Sequence, residues 1–166
     1  RGCLVRRIDA DEVAELYDVR IALEELAACL AADKLSGEQL ARLEALVDEC
    51  EAAVAAEDLA RLSSAGAAFH ETLLEAAGNS TLARILHDLN NRIQVTRRMD
   101  SHRVQSPEQP THRMLLQAFQ ARNGERAAHL MGEHITCGKK RVVQALRERA
   151  QRLENMEKLA ALGYKP

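Results

Sequence analysis

The chain has 166 residues and a formal net charge of −2, so it is long enough for one domain with its own core and has no excess positive charge for a polyanion. Of its residues 46% are apolar but only 2% are aromatic, which favours close-packed helices rich in leucine and alanine over a sheet. No apolar run has the length of a membrane span, and no signal-peptide pattern is present. We therefore expect a cytoplasmic protein without a membrane partner. Its four cysteines form no CxxC pair, which indicates reduced thiols.

Apolar residues recur at steps of three and four from Val13 onward, which predicts amphipathic helices. The first helix can be capped by Asp9 or Asp11 and ends at residues 35–37. Ser36 then opens a second helix as part of a capping box with residue 39. Asp58 can cap a third helix, which residue 78, a glycine, ends.

The second half of the chain continues the helical pattern. Asn79 or Ser80 can cap a fourth helix, and residues 100–110 form a polar loop. A fifth helix begins near His112 and closes at residues 123–124, and a sixth extends over about residues 125–162. Only residues 1–5 suggest a short extended segment. The sequence predicts an all-α fold, an antiparallel bundle of six to seven helices.

Three histidines, His70, His112 and His134, lie on three different predicted helices. Imidazole is the commonest protein ligand for divalent metals. If the three helices pack together, the imidazoles can meet in a central pocket that binds a metal or an anion. The alternative is three unrelated surface or core histidines. No Ser-His-Asp arrangement and no glycine-rich phosphate loop is present.

Arg20 is the next candidate binding residue. Its helical neighbours Val13, Leu16, Leu23 and Leu26 are apolar, so we expect its guanidinium to point inward. A buried guanidinium needs an anion, and its fork geometry matches a carboxylate. The residues alone leave two partners open: a ligand, or a structural salt bridge to Glu24 or another acid.

Four segments, in this order, resemble the FadR C-terminal domain (FCD), the effector-binding half of many GntR-family bacterial transcription regulators. They are residues 9–24, Phe69-His70, Ala76-Ala77-Gly78-Asn79, and the stretch from His112 through Asn123-Gly124-Glu125 to His134. Residues 1–5 are similar to the last strand of a winged helix-turn-helix wing. The resemblance implies that residues 1–8 are a remnant of that wing and its linker, and that residues 9–166 are an FCD-type effector-binding domain.

The resemblance also implies a site. In many members of the family the matching histidines bind a divalent metal, together with an aspartate four residues before the first histidine. Here that position is Gly66. Loss of the carboxylate favours Zn²⁺ or Ni²⁺ over harder cations such as Mn²⁺. The matching arginine often faces the effector pocket, so we predict that Arg20 binds the effector, with Asn79 and Arg92 as further candidates.

The predicted function is therefore that of a ligand-sensing domain and not of an enzyme. A small organic acid would bind near the three-histidine metal site and alter operator binding. We expect a homodimer that contacts DNA only through an N-terminal domain absent from this chain. Two alternatives stay open: a metal-dependent enzyme built on a helical bundle, and a plain helical interaction module.

Overall fold

The computed structural model describes residues 9–97 and 111–162. Within these ranges the chain forms six α-helices and no strand: α1 (Ala10–Lys34), α2 (Gly37–Ala55), α3 (Leu59–Ala77), α4 (Ser80–Arg97), α5 (His112–Gln120) and α6 (Gly124–Ala161). The predicted all-α fold is confirmed. The predicted wing remnant at residues 1–8 and the predicted loop at residues 100–110 lie outside the described residues.

The helix starts follow the predicted capping residues. The Asp9 carboxylate accepts a hydrogen bond from the backbone N–H of residue 11, and Ser36 and Gln39 form the complete capping box. Asp58 caps α3 in the same way. Gly78 ends α3 with φ of +64°, a left-handed conformation that glycine adopts without steric cost.

One predicted boundary is different in the structure. Residues 123–124 were expected to close the fifth helix, but α5 already ends at Gln120. Asn123 instead starts α6, since its side chain accepts a hydrogen bond of 2.9 Å from the backbone N–H of Arg126. An asparagine beside a glycine favours either a helix end or a helix start, because both residue types suit both positions. The sequence pattern alone did not decide between them.

Helix α1 lies at the centre of the bundle. It packs most extensively against α6 and also contacts α3, α4 and α5. Helices α3, α5 and α6 therefore surround α1, and these are the helices that carry the three histidines. Apolar side chains from all six helices form a single core cluster around this arrangement.

The buried face of α1 differs in part from the predicted one. Arg20 is buried as expected, and it shares this face with Tyr17, Glu24 and several alanines. The prediction placed Leu26 on the same face, but its side chain is 46% exposed. Small alanines let neighbouring helices approach α1 closely, so the alanine side is buried and part of the leucine side faces outward.

Two further predictions concern membranes and thiols. Among the helices in the described ranges, none is both long and apolar enough to cross a membrane. Cys29, Cys50 and Cys137 are free thiols. Burial raises the pKa of Cys50 to about 11, which keeps this thiol protonated and inert near neutral pH.

Candidate metal and anion site

His70, His112 and His134 converge at one point in the bundle. Their potential ligand atoms all lie within 4.8 Å of one another, and the ring centroids of His112 and His134 are 4.7 Å apart. Two nitrogens bound to one tetrahedral zinc ion are about 3.3 Å apart, so small side-chain movements would bring the three imidazoles into coordination. His70 and His112 are buried and His134 is half-buried. The residues therefore fit a divalent metal.

Gly66 borders this cluster, one helical turn before His70. A Cβ atom added to Gly66 would lie 3.5 Å from Cε1 and 3.9 Å from Nε2 of His112. These are ordinary van der Waals distances, so the position has room for a side chain that faces the imidazoles. Gly66 itself offers no ligand atom at the position where the family resemblance implies an aspartate.

Glu24 supplies an acid that contacts the histidine cluster from α1. Its side chain is only 1% exposed, and its Oε2 atom lies 3.0 Å from Nδ1 of His70. Burial alone would raise the pKa of this carboxyl, but the charges of His70 and Arg20 and their hydrogen bonds hold the pKa well below its ordinary value of 4.5. Glu24 is therefore ionised, and it contacts a candidate metal ligand rather than the metal position itself.

Arg20 is 2% exposed and is oriented by the same acid. Its Nε and Nη2 atoms donate hydrogen bonds of 3.1 and 2.9 Å to Oε1 of Glu24, and the guanidinium carbon lies 5.7 Å from the Tyr17 ring centroid. The third nitrogen, Nη1, is buried and has no hydrogen-bond partner in the described structure. The salt bridge to Glu24 thus exists, and it still leaves one donor available for an anion.

A cavity of about 170 Å³ lies between α1, α3 and α4, next to these groups. Arg20 and His70 both line it, as do Asn90 and the pair His87 and Glu71. The Oδ1 atom of Asn90 is buried without a hydrogen-bond partner. Binding sites for drug-sized ligands occupy roughly 300–1,000 Å³, so this cavity suits a small polar molecule.

The structure places the other two predicted effector residues away from this cavity. The Asn79 side chain is exposed and caps α4, accepting a 3.1 Å hydrogen bond from the backbone N–H of Leu82. The Arg92 side chain is 62% exposed and lies 3.4 Å from the Glu12 carboxylate. From α4 the cavity is lined instead by His87, Asn90 and Asn91. Effector binding by Asn79 and Arg92 stays a prediction.

Asn90 was not among the predicted site residues, and Glu24 was predicted only as a salt-bridge partner of Arg20. A signal existed for both. Glu24 is four residues after Arg20, so the two side chains lie on the same face of the helix. Asn90 follows Leu86 by one helical turn and precedes Ile93 by three residues, which places it at the edge of the buried face of α4.

Comparison with known proteins identifies the family to which the fold belongs. The profile of the FCD domain family matches residues 15–136. The uncharacterized HTH-type transcriptional regulator YdhC of Bacillus subtilis (strain 168) is 30% identical over 141 residues, which cover 81% of this chain and 61% of YdhC. The solved structure of Streptococcus agalactiae GntR matches with a TM-score of 0.63 and 27% identity, over 81% of this chain and 61% of that one.

The chain thus spans about six-tenths of the length of these two relatives. YdhC is named as an HTH-type transcriptional regulator. The FCD profile covers well over half of the 166 residues, and its match includes three of the four resembling segments completely. On this evidence the chain belongs to the FCD domain family.

Proposed function

We propose that this chain is the ligand-sensing domain of a GntR-type DNA-binding transcription regulator, and that it binds a small carboxylate beside a three-histidine metal site. The observation that carries the proposal is the shared cavity of Arg20 and His70. An arginine with a free buried donor and a candidate metal ligand face the same small space. An anion in that space would contact both.

His70, His112 and His134 would hold the metal. Three neutral imidazoles suit Zn²⁺ or Ni²⁺ better than cations that prefer oxygen ligands. A bound metal would supply positive charge and at least one open coordination position for an oxygen of the ligand. The charges of Arg20 and Glu24 cancel, so the metal's own charge would favour an anion.

Arg20 would hold the carboxylate of the ligand through Nη1. A guanidinium group has several donors in one plane. Glu24 accepts hydrogen bonds only from the Nε and Nη2 atoms of Arg20. Asn90 would contact a polar group of the ligand with its side-chain amide. A ligand that pairs with both groups would offset the cost of burying them without hydrogen bonds.

Ligand binding would change operator affinity by favouring one arrangement of the regulator over another. We infer that DNA is bound by a part of the regulator outside this domain, and that the protein is a cytoplasmic homodimer. An apolar stripe on α1 supports dimerisation, because Val19 and Leu26 are 52% and 46% exposed and lie seven residues apart on one helix face.

The experiment is a thermal-shift assay with acetate, lactate and succinate, each compared with its uncharged amide. We expect at least one acid to raise the melting temperature of the zinc-loaded protein, and the amides to have no effect. At a hundredfold excess over Kd, binding adds about 2.7 kcal/mol, or roughly 5–10 °C for a domain of this size. A shift of the same size with amide and acid would contradict carboxylate recognition. Turnover of an acid would support the enzyme alternative.

Gly66→Asp is expected to strengthen metal binding and to extend it to Mn²⁺. A Cβ atom at this position meets the His112 ring only at van der Waals distance, and the new carboxylate would add an oxygen ligand, which Mn²⁺ prefers. Titration of the metal-free protein with each ion would measure the change. Gly66→Ala is the matched control, since it fills the same space without a ligand atom. Equal Mn²⁺ affinity in both variants would contradict the placement of residue 66 at the site.

A further inference from the structure

The Glu24 carboxylate contacts both Arg20, the proposed anion-binding residue, and His70, a proposed metal ligand. Its Oε1 atom accepts from Nε and Nη2 of Arg20 at 3.1 and 2.9 Å. Its Oε2 atom lies 3.0 Å from Nδ1 of His70. The carboxylate is fully enclosed, with 1% of the residue exposed. Because the carboxylate is shielded from solvent, water does not compete for its hydrogen bonds with Arg20 and His70.

The contact with His70 decides which ring nitrogen carries the proton. An ionised carboxylate only accepts hydrogen bonds, so Nδ1 of His70 must be the donor. A neutral imidazole that is protonated at Nδ1 has its lone pair on Nε2. This is the nitrogen that remains for a metal, and Glu24 keeps it in the state that a metal requires.

The contact with Arg20 fixes the orientation of the guanidinium that would bind the anion. Because Glu24 holds the Nε side of the guanidinium, the Nη1 end is directed away from Glu24 and has no hydrogen-bond partner in the described structure. The planar guanidinium is rigid, so fixing one side fixes the other. One carboxylate therefore orients a metal ligand and an anion donor together.

We propose that Glu24 is the positioning residue of this site: it holds His70 with the proton on Nδ1, leaves Nε2 for the metal, and orients Arg20 toward the bound anion. The proposal rests on the proposed function. In this proposal the carboxylate that supports the metal site comes from α1 and contacts His70 on the side away from the metal. The position on α3 that borders the histidines, Gly66, has no carboxylate.

Glu24→Gln tests the proposal directly, because it keeps the shape of the side chain and replaces one carboxylate oxygen with an amide nitrogen. Arg20 would retain the single oxygen of the glutamine, because a charged donor makes the stronger hydrogen bonds. The amide nitrogen would then face His70 and donate to Nδ1. His70 would carry its proton on Nε2, and that nitrogen would then have no lone pair for a metal.

The experiment combines nitrogen-detected NMR of the histidine rings with zinc titration, at mildly alkaline pH where imidazoles are neutral. We expect wild-type His70 to be protonated at Nδ1, and Glu24→Gln to move the proton to Nε2. Zinc affinity should fall about 10- to 100-fold, the usual effect of losing a partner behind a metal ligand. Glu15→Gln, an exposed change on the same helix, should alter neither quantity.

The possible outcomes separate this inference from the proposed function. A wild-type protein that binds no zinc contradicts the metal site itself and the positioning role with it. A wild-type protein that binds zinc but carries the His70 proton on Nε2 when metal-free contradicts the inference alone. So does a folded Glu24→Gln variant with wild-type zinc affinity. If Glu24→Gln does not fold, the position of the His70 proton in the metal-free wild-type protein tests the inference by itself.

Discussion

Replacing His134 with alanine is expected to abolish most zinc binding. His134 would supply the metal ligand from α6, and without it only two imidazoles would remain. Losing a direct ligand should weaken binding more than losing a supporting contact, hence by more than about 100-fold. Because His134 is half-buried rather than buried, the variant should still fold. Isothermal titration of the metal-free variant with Zn²⁺ measures the loss.

His129→Ala is the matched control for this variant. His129 lies on the same helix, and its side chain is 74% exposed, with Nε2 at 3.7 Å from Oε1 of Glu133. It is five residues from His134, so it lies on a different face of α6. Zinc affinity should be unchanged in this control. Equal losses in the two variants would show that zinc binds to surface histidines and not in the bundle.

Replacing Arg20 with alanine is expected to affect both stability and ligand binding. The change leaves Glu24 buried with His70 as its remaining partner. Removing one member of a buried ion pair destabilises a protein by about 3–5 kcal/mol. Carboxylate binding should also weaken by roughly 1.5–3 kcal/mol, the value of a hydrogen bond to a charged group. Denaturant unfolding and carboxylate titration measure the two effects separately.

Two further variants test the origin of the stability loss. Arg42→Ala breaks an exposed pair with Glu75, and exposed pairs contribute only about 0–1 kcal/mol. Arg20→Ala combined with Glu24→Gln removes both charges, and it should be less destabilising than Arg20→Ala alone. If Arg20→Ala costs no more than Arg42→Ala, Arg20 and Glu24 do not form the buried pair described here.

The fold was largely predictable because local signals agreed along the chain. Three signals each depended on residues only a few positions apart: the helical periodicity, the Ser36 capping box and the glycine at residue 78. The structure confirms all three. The end of α5 was misplaced because Asn123 suits two kinds of boundary. The exposure of Leu26 depends on which helices pack against α1, and a single helix does not contain that information.

The site was predictable in part. Each histidine could be placed on its helix, and Arg20 could be placed on an inward face, from residues close in sequence. Three relations depend on distant helices: the contact of Glu24 with a residue 46 positions away, the position of Asn90 at the cavity, and the exposure of Arg92. Such relations follow from tertiary packing, so neither spacing nor family resemblance provided them.

The most direct test of the central claim is titration of the metal-free wild-type protein with Zn²⁺ by calorimetry, beside His134→Ala and His129→Ala. The three converging imidazoles predict one saturable zinc site per chain in the wild type and in His129→Ala, and its loss in His134→Ala. Absence of a saturable site in the wild type, or an unchanged site in His134→Ala, would contradict a metal centre formed by His70, His112 and His134.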